Sequence, residues 1–512
     1  MGDEKFYQIV CPYCFNESNE PFSDEDVCFR AESCFADEAA LERRFDGQSR
    51  EEIEAINGPE DPKLKEYDIC ARFLAREDRV YQDFWSTFAG TSEQDENQNR
   101  AGNMLNRISI PQWQRPIISV NTGGVNHLKR DADGFVFAAV DTLGKETTRR
   151  VCPYCHNPLP INFGKNPVKN IVIVGVTGAG KTVYISQLLS SMEDYAAKVG
   201  LSASVNNANA RNFVKANPVK LNVPLPFPTA AESLSQPMFY EISYGIEGNK
   251  KQDETIVVYD IAGENCEDAT KMQNFSKFVR HADGLILLIH PKQLGLTKEN
   301  ASEEKLPSTV LQTLHSVLEG RQGHKSHLPI AVCISQSDTC FDLLPAIASQ
   351  DVGMARFGID GLCKREFDYK TYNQFSKEIA ALLQTRSQQL IQALITDFYN
   401  FNFFAVSAVG CECADSDEGG ARVSHPIEIP HPYRIEEPIF WLFRKFNFIG
   451  LEPGGKVRRP FPVALPDKIE IKKRMFGKPQ ENRITNRHSD FEDEPIPETE
   501  ETVEVKQFST QN

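Results

Sequence analysis

The sequence predicts an α/β protein in which a mostly parallel sheet carries helices on both faces, with a small cysteine-bearing domain before it and a charged tail after it. Three observations lead there. Short, β-branched apolar runs alternate with helical stretches between about residues 170 and 448. A glycine-rich loop joins the first of these runs to a helix. Two identical Cys-Pro-Tyr-Cys turns stand at the ends of a long insertion upstream of that loop.

In chain order, residues 1–165 are expected to form one domain interrupted by an insertion at about 36–130. The first stretch is rich in turn formers and needs help to fold. Within the insertion, 38–45 and 67–88 have helical patterns, and 91–103 reads as an exposed polar loop. Residues 134–140 and 146–151 read as a hairpin that delivers the chain into the second cysteine turn. The large domain is 166–449. Its expected strands are 171–174, 239–244, 255–259, 284–289, 330–334 and 403–406; its expected helices are 182–198, 274–281, 309–319 and 372–398. The aromatic stretch 437–446, with Pro438 near its first turn, reads as a helix covering the last face of the sheet in preference to one lying on a membrane. Residues 450–512 become Pro- and charge-rich and are expected to be disordered.

Composition excludes several classes of function. A chain of 512 residues exceeds what one core organises. Hydrophobic residues make up 40% and are broken everywhere by charge, with no apolar run of about 18 residues that could span a bilayer. The start Met1-Gly2-Asp3-Glu4-Lys5 is unlike a secretory signal, so a cytoplasmic location is expected. The 56 basic and 72 acidic side chains give a net charge of −16, which argues against general nucleic-acid binding. Thirteen cysteines are an odd count, and in a reducing compartment the paired ones read as metal ligands; Cys266, Cys333, Cys340 and Cys363 read as small apolar residues.

The glycine loop is specific. Gly175-Val176-Thr177-Gly178-Ala179-Gly180-Lys181-Thr182 matches G-x-x-x-x-G-K-[ST] in full, between an apolar strand and a helix. Its glycines let backbone N–H groups, through Val183, curl round phosphates at a positive helix end; Lys181 would bridge the terminal phosphates, and the Thr182 hydroxyl would reach Mg²⁺. A second metal ligand is expected at the end of a neighbouring strand, where Asp260 opens Asp260-Ile261-Ala262-Gly263-Glu264.

This D-x-x-G, behind such a strand and loop, resembles the switch of Ras-like, TRAFAC-class GTPases, over about residues 170–448. The resemblance implies a Ras-like sheet that binds GTP and Mg²⁺, with 239–244 and 255–259 as an antiparallel hairpin joined by the turn 247–254. It implies that Asp260 reaches Mg²⁺ through water, that the Gly263 N–H senses a γ-phosphate, and that Glu264, where the family has Gln, orients the attacking water. Ser335-Gln336-Ser337-Asp338 stands where the family carries N/T-K-x-D: Asp338 is the guanine-reading carboxylate, while Ser335 and Gln336 replace the usual Asn or Thr and Lys. Ser407-Ala408 resembles the pair whose backbone contacts the guanine carbonyl. Thr229 is the candidate switch threonine over Mg²⁺.

Cys11-Pro12-Tyr13-Cys14 and Cys152-Pro153-Tyr154-Cys155 can each present two thiolates, together making a Cys₄ Zn²⁺ site. Cys28 and Cys34 are rivals for the second pair. A ribbon of this kind mediates protein contacts or stabilises a fold with little core. His156 could offer a stray fifth ligand, and His290 reads as a satisfied loop histidine. The pairing of a double-CPYC ribbon with a Ras-like domain resembles prokaryotic TRAFAC proteins called double-GTPases, associated with conflict systems. That resemblance implies a slow Mg-dependent GTPase switch with a protein effector or activating partner, no arginine finger being identifiable in cis. The alternatives are an ATP-hydrolysing assembly factor and a zinc-ribbon scaffold with a degenerate nucleotide site.

Overall fold

The computed structural model describes residues 6–17, 19–88, 110–176, 178–205, 208–227, 232–246, 250–266, 269–297, 307–319, 325–345, 354–359, 362–367, 369–418, 421–446, 448–451, 457–458, 468–472 and 480–484. The chain divides into two units: residues 1–168 with 232–235, and residues 169–231 with 236–512.

In the first unit the strands are β1 (Cys28–Arg30), β2 (Ile117–Ile118), β3 (Val125–Arg130), β4 (Val136–Asp141), β5 (Glu146–Thr147) and β6 (Arg150–Val151). They form two three-stranded antiparallel sheets, ordered β2–β1–β6 and β3–β4–β5. The expected hairpin is there, but its second arm ends at Thr147, and Arg150 and Val151 pair instead with β1. Four short helices follow β1: Glu38–Glu42, Arg50–Asn57, Pro62–Cys70 and Arg79–Ser86. Each starts at a polar side chain that accepts a free N–H of the first turn, from Asp37, Ser49, Asp61 and Asp78. Arg50–Asn57 is not among the expected helices, although Ser49 and Glu52 make a full capping box. The span expected as one helix from 67 to 88 is broken, because 74–78 leave the helix between Phe73 and Arg79. Leu41, Phe45, Ile53, Leu64, Tyr67 and Cys70 pack into a small core. Most of the expected loop 91–103 and the rest of 89–109 lie outside the described residues.

The second unit is built on β7 (Val168–Gly175), β8 (Ser202–Val205), β9 (Met238–Ile246), β10 (Lys250–Ile261), β11 (Gly284–Ile289), β12 (Ile330–Ile334) and, after the hairpin β13 (Met354–Ile359) and β14 (Leu362–Phe367), β15 (Phe401–Ala405). The sheet order is β15–β12–β11–β7–β10–β9–β8. β15, β12, β11 and β7 run parallel, and β9 lies antiparallel to both β10 and β8. Both faces are covered, and the burial alternates accordingly. Ile171, Ile173, Ile256, Val258, Ile286, Leu288 and Phe404 share one core with the helices Lys181–Ser190, Met192–Lys198 and Glu437–Lys445. Val172, Val174, Val257, Tyr259, Leu285 and Leu287 are buried on the other side, where Tyr259 meets Phe278 of the helix Ala269–Arg280 at 5.3 Å.

The β9–β10 pair extends to Lys250↔Ile246, so the turn is shorter than the expected 247–254. The expected helices 182–198 and 372–398 are each divided, at Ser191 and at Ser387. The last helix is buried from Glu437 to Phe443 and closes the sheet, with Trp441 against Phe404 at 5.9 Å. Within it Glu437 is held by Arg434 at 2.7 Å and by the Tyr372 hydroxyl. Among the described residues no helix is long and apolar enough to cross a membrane. Of the tail 450–512, the described residues are the strand pairs Gly450–Leu451 with Val457–Arg458 and Lys468–Lys472 with Gln480–Ile484.

Trp441→Ala is expected to remove roughly 3–5 kcal/mol from this unit, as large aromatic truncations in closed cores do. A urea titration followed by far-UV circular dichroism checks it, and a midpoint equal to the parent's would mean the helix does not close the core.

Candidate functional site

In the first unit the Sγ atoms of Cys11, Cys14, Cys152 and Cys155 lie within 4.8 Å of one another. Cys11 and Cys155 are 3.6 Å apart, Cys14 and Cys152 3.8 Å. Four thiolates about 2.3 Å from a tetrahedral ion would stand roughly 3.8 Å from each other, so the cluster fits zinc. The two turns are built alike. The N–H groups of Tyr13 and Tyr154 donate to Cys11 and Cys152 sulfurs at 3.4 and 3.3 Å. Phe15 and His156 both have positive φ, 52° and 55°, which folds each turn back on its first cysteine carbonyl. Cys28, on β1, and Cys34 are not in the cluster. Nor is His156: its Nδ1 meets both Asp78 oxygens at 2.9 Å, and one of them also pairs with Arg30 at 2.7 Å. Because Asp78 also caps the helix Arg79–Ser86, and Trp85 donates to Asn157 at 2.9 Å, the insertion is tied to the second turn.

In the second unit β7 ends at Gly175, and the loop after it turns at Gly178 and Gly180, with φ of +81° and +71°. The helix Lys181–Ser190 starts there, so its free N–H groups point into the loop. Lys181 reaches the Asp260 carboxylate at the end of β10, and the pair is buried, 8% and 1% exposed. Burial pulls the Lys181 ammonium down to about 7, against a smaller opposing pull from Cys266. Next to it, Gly263 comes so close that a Cβ there would lie 1.7 Å from the Gly175 carbonyl oxygen. Only glycine fits. Glu264 follows on the surface in the short helix Gly263–Cys266, and Thr182 is buried in the first turn of the loop helix.

Beyond this end lies a pocket of about 600 Å³, within the range of small-molecule sites. Ala179, Gly180 and Val183 line it together with Ser335, Gln336, Asp338, Ser407 and Ala408. Ser335 holds the strand ends together, its N–H and hydroxyl both donating to the Ile289 carbonyl. Gln336, in the left-handed region at φ 45°, donates its amide to the Gly178 carbonyl at 3.3 Å and thus covers the loop. Asp338 lines the pocket and keeps one buried carboxylate oxygen with no hydrogen-bond partner among the described residues. Ser407 is paired with Tyr433 on both backbone groups, leaving Ala408 on the pocket wall.

Residues 172–348 match the family model of Double-GTPase 1. A protein of Mycolicibacterium smegmatis named for ESX-1 scaffolding and assembly, SaeC, is 25% identical over 329 residues, covering 58% of this chain and 80% of the relative. Two solved structures are also similar. One is a chain of the signal recognition particle receptor SRb-GTP/SRX complex of Chaetomium thermophilum, at 13% identity and TM-score 0.22, covering 48% of this chain and 92% of that one. The other is sup35 complexed with GMPPNP, at 11% identity and TM-score 0.18, covering 48% and 38%.

Around this pocket, further residues come from segments that no motif marked. Leu225, Pro226 and the exposed Phe227 form one side; Cys411, Glu412, Cys413, Val423 and Ser424 form the next. The proline run 224–228 was the available signal for the first, and nothing in the sequence pointed to the second. Thr177 and Thr229 lie outside the described residues. His290 caps the short helix Pro291–Leu294, accepting the Lys292 N–H at 3.1 Å.

Gly263→Ala is expected to push the Gly175 backbone aside at a cost of about 1–3 kcal/mol. Thermal unfolding would show it as a clear drop in Tm, and an unchanged Tm would mean the two backbones are not in contact in solution.

Proposed function

We propose that the chain is a Mg²⁺-dependent switch that binds GTP and hydrolyses it slowly, with a zinc ribbon as its contact surface for a protein partner. The observation that carries this is the pairing of a buried Lys181 ammonium, held by Asp260 at the phosphate loop, with a partnerless Asp338 carboxylate oxygen in the pocket beside the same loop. A triphosphate brings negative charge to the first, and guanine brings two N–H donors to the second.

Each role falls to one of this chain's own groups. The N–H groups of Gly178, Ala179, Gly180, Lys181, Thr182 and Val183 wrap the phosphates, and Gly175 permits the turn. Lys181 transfers its contact from Asp260 to the terminal phosphates and neutralises charge that grows there as the bond to the leaving group breaks. The Thr182 hydroxyl and the freed Asp260 carboxylate would hold Mg²⁺, which supplies positive charge shared between the phosphates. The Gly263 N–H donates to the γ-phosphate, and Glu264 orients the water that attacks in line. Asp338 accepts from the guanine, and the Ala408 N–H donates to its carbonyl. Adenine presents the wrong groups to Asp338 and would leave a buried carboxylate unpaired. Gln336 takes the covering position over the loop without a charge, which removes one cation from the site.

The first unit is proposed to hold one Zn²⁺ on Cys11, Cys14, Cys152 and Cys155. The name of the mycobacterial relative favours partner assembly as its setting, and it also keeps a scaffold reading open in which hydrolysis is dispensable. Lys181→Ala separates the two: a switch loses its partner's nucleotide-dependent response, whereas a scaffold holds the partner as before.

Two outcomes test the reading. Asp338→Asn is expected to weaken GTP roughly 10- to 100-fold in competition binding and leave ATP unchanged; equal loss for both nucleotides would remove the case for guanine. Metal analysis of the purified protein is expected to give about one zinc per chain, lost in Cys152→Ser together with the near-UV circular dichroism of the first unit. Retention of the metal in that variant would point to other ligands.

A further inference from the structure

The outer side of the nucleotide pocket is made by two segments far apart in sequence, and they are joined to each other. After β15 come two more strands, β16 (Cys413–Glu418) and β17 (Ala421–Pro426), which form an antiparallel hairpin. Residues 222–227 run as a strap beside it. The Leu225 N–H donates to the Ser424 carbonyl at 2.8 Å, and the Asn222 N–H donates to the Pro426 carbonyl at 2.9 Å. Pro224 and Pro226 have no N–H and fixed φ, so the strap is stiff and Leu225 is the donor between them. Ser424 is fixed in turn by its hydroxyl, bonded to Asp415 across the hairpin.

The hairpin is rooted beside the base end of the pocket. Gly410 donates to the Ser407 hydroxyl at 3.1 Å and has φ +65°; a Cβ there would lie 1.9 Å from the His431 carbonyl oxygen. That glycine sets the direction in which the hairpin leaves the Ser407–Ala408 segment. From the strap, Leu225, Pro226 and Phe227 line the pocket; from the hairpin side, Cys411, Cys413 and Ser424 do.

We propose that strap and hairpin form a clamp over the nucleoside, and that release of the nucleotide requires the Leu225–Ser424 and Asn222–Pro426 hydrogen bonds to part. Leu225 is on this view a positioning residue, acting through its backbone. The proposal rests on the guanine-nucleotide reading above. It assigns to the clamp the rate of release, and to Asp338 the choice of base.

Dissociation of a fluorescent GDP from the full chain tests it. Leu225→Pro deletes the donor and is expected to speed release on the order of tenfold, the upper worth of one net hydrogen bond. Leu225→Ala keeps the N–H and is expected to change release less, and GTP-over-ATP preference is expected to survive in both. Release from Leu225→Pro at the parent rate, or an equal acceleration in both variants, overturns the clamp. Should Leu225→Pro fail to fold, alkylation of the parent protein decides: Cys411 and Cys413 are expected to react with iodoacetamide several-fold more slowly with GDP bound, and unchanged rates overturn the proposal. A parent protein that binds no fluorescent GDP at all overturns the nucleotide reading, and the clamp with it.

Discussion

Lys181 carries its ammonium where water does not reach, and the second unit is arranged around the need to give that charge a counter-ion. A buried cation without an anion would surrender its proton or open the fold. Asp260 supplies the anion, and it can do so because β10 runs long enough to bring its last residues to the phosphate loop at the end of β7. Gly263 extends the same logic to the backbone, since its lack of a Cβ lets the chain after Asp260 lie against Gly175. The loop is thus braced by the group that an incoming phosphate would displace.

The first unit solves a different problem. Its sheets are short, its helices have few turns, and among the described residues its insertion packs around the small cluster of Leu41, Phe45, Ile53, Leu64, Tyr67 and Cys70. The four sulfurs lie together and join its two ends. The polar links from Asp78 to Arg30 and His156, and from Trp85 to Asn157, then anchor the last helix of the insertion to the second cysteine turn.

Much of the sheet was legible in the sequence because its strands are buried on both faces and therefore read as unbroken β-branched runs, as in Ile171, Val172, Ile173 and Val174. What stayed hidden was decided by tertiary contacts or by single residues. Helical periodicity runs straight through Ser191 and Ser387, yet the helices are divided there. The helix Arg50–Asn57 is mostly polar and showed only its capping residues. At the glycine loop and the pocket beside it, motif spacing could indicate Gly175 to Thr182, Asp260 and Asp338, because each stands at the end of a strand. It could not indicate Cys411 or Ser424, whose position depends on a hairpin returning to a strap some two hundred residues earlier in the chain. The choice between Cys28 with Cys34 and Cys152 with Cys155 was likewise a matter of long-range closure that spacing alone leaves open.

That closure has a consequence for biosynthesis. Cys11 and its neighbour Cys155 are separated by 144 positions. The amino-terminal cysteine turn therefore waits, half of the sulfur cluster, while the ribosome makes the whole insertion, and the first unit cannot be completed before the segment leading into β7 has been translated. Insertion helices that fold during that interval would shorten the distance to be spanned between the ends they separate.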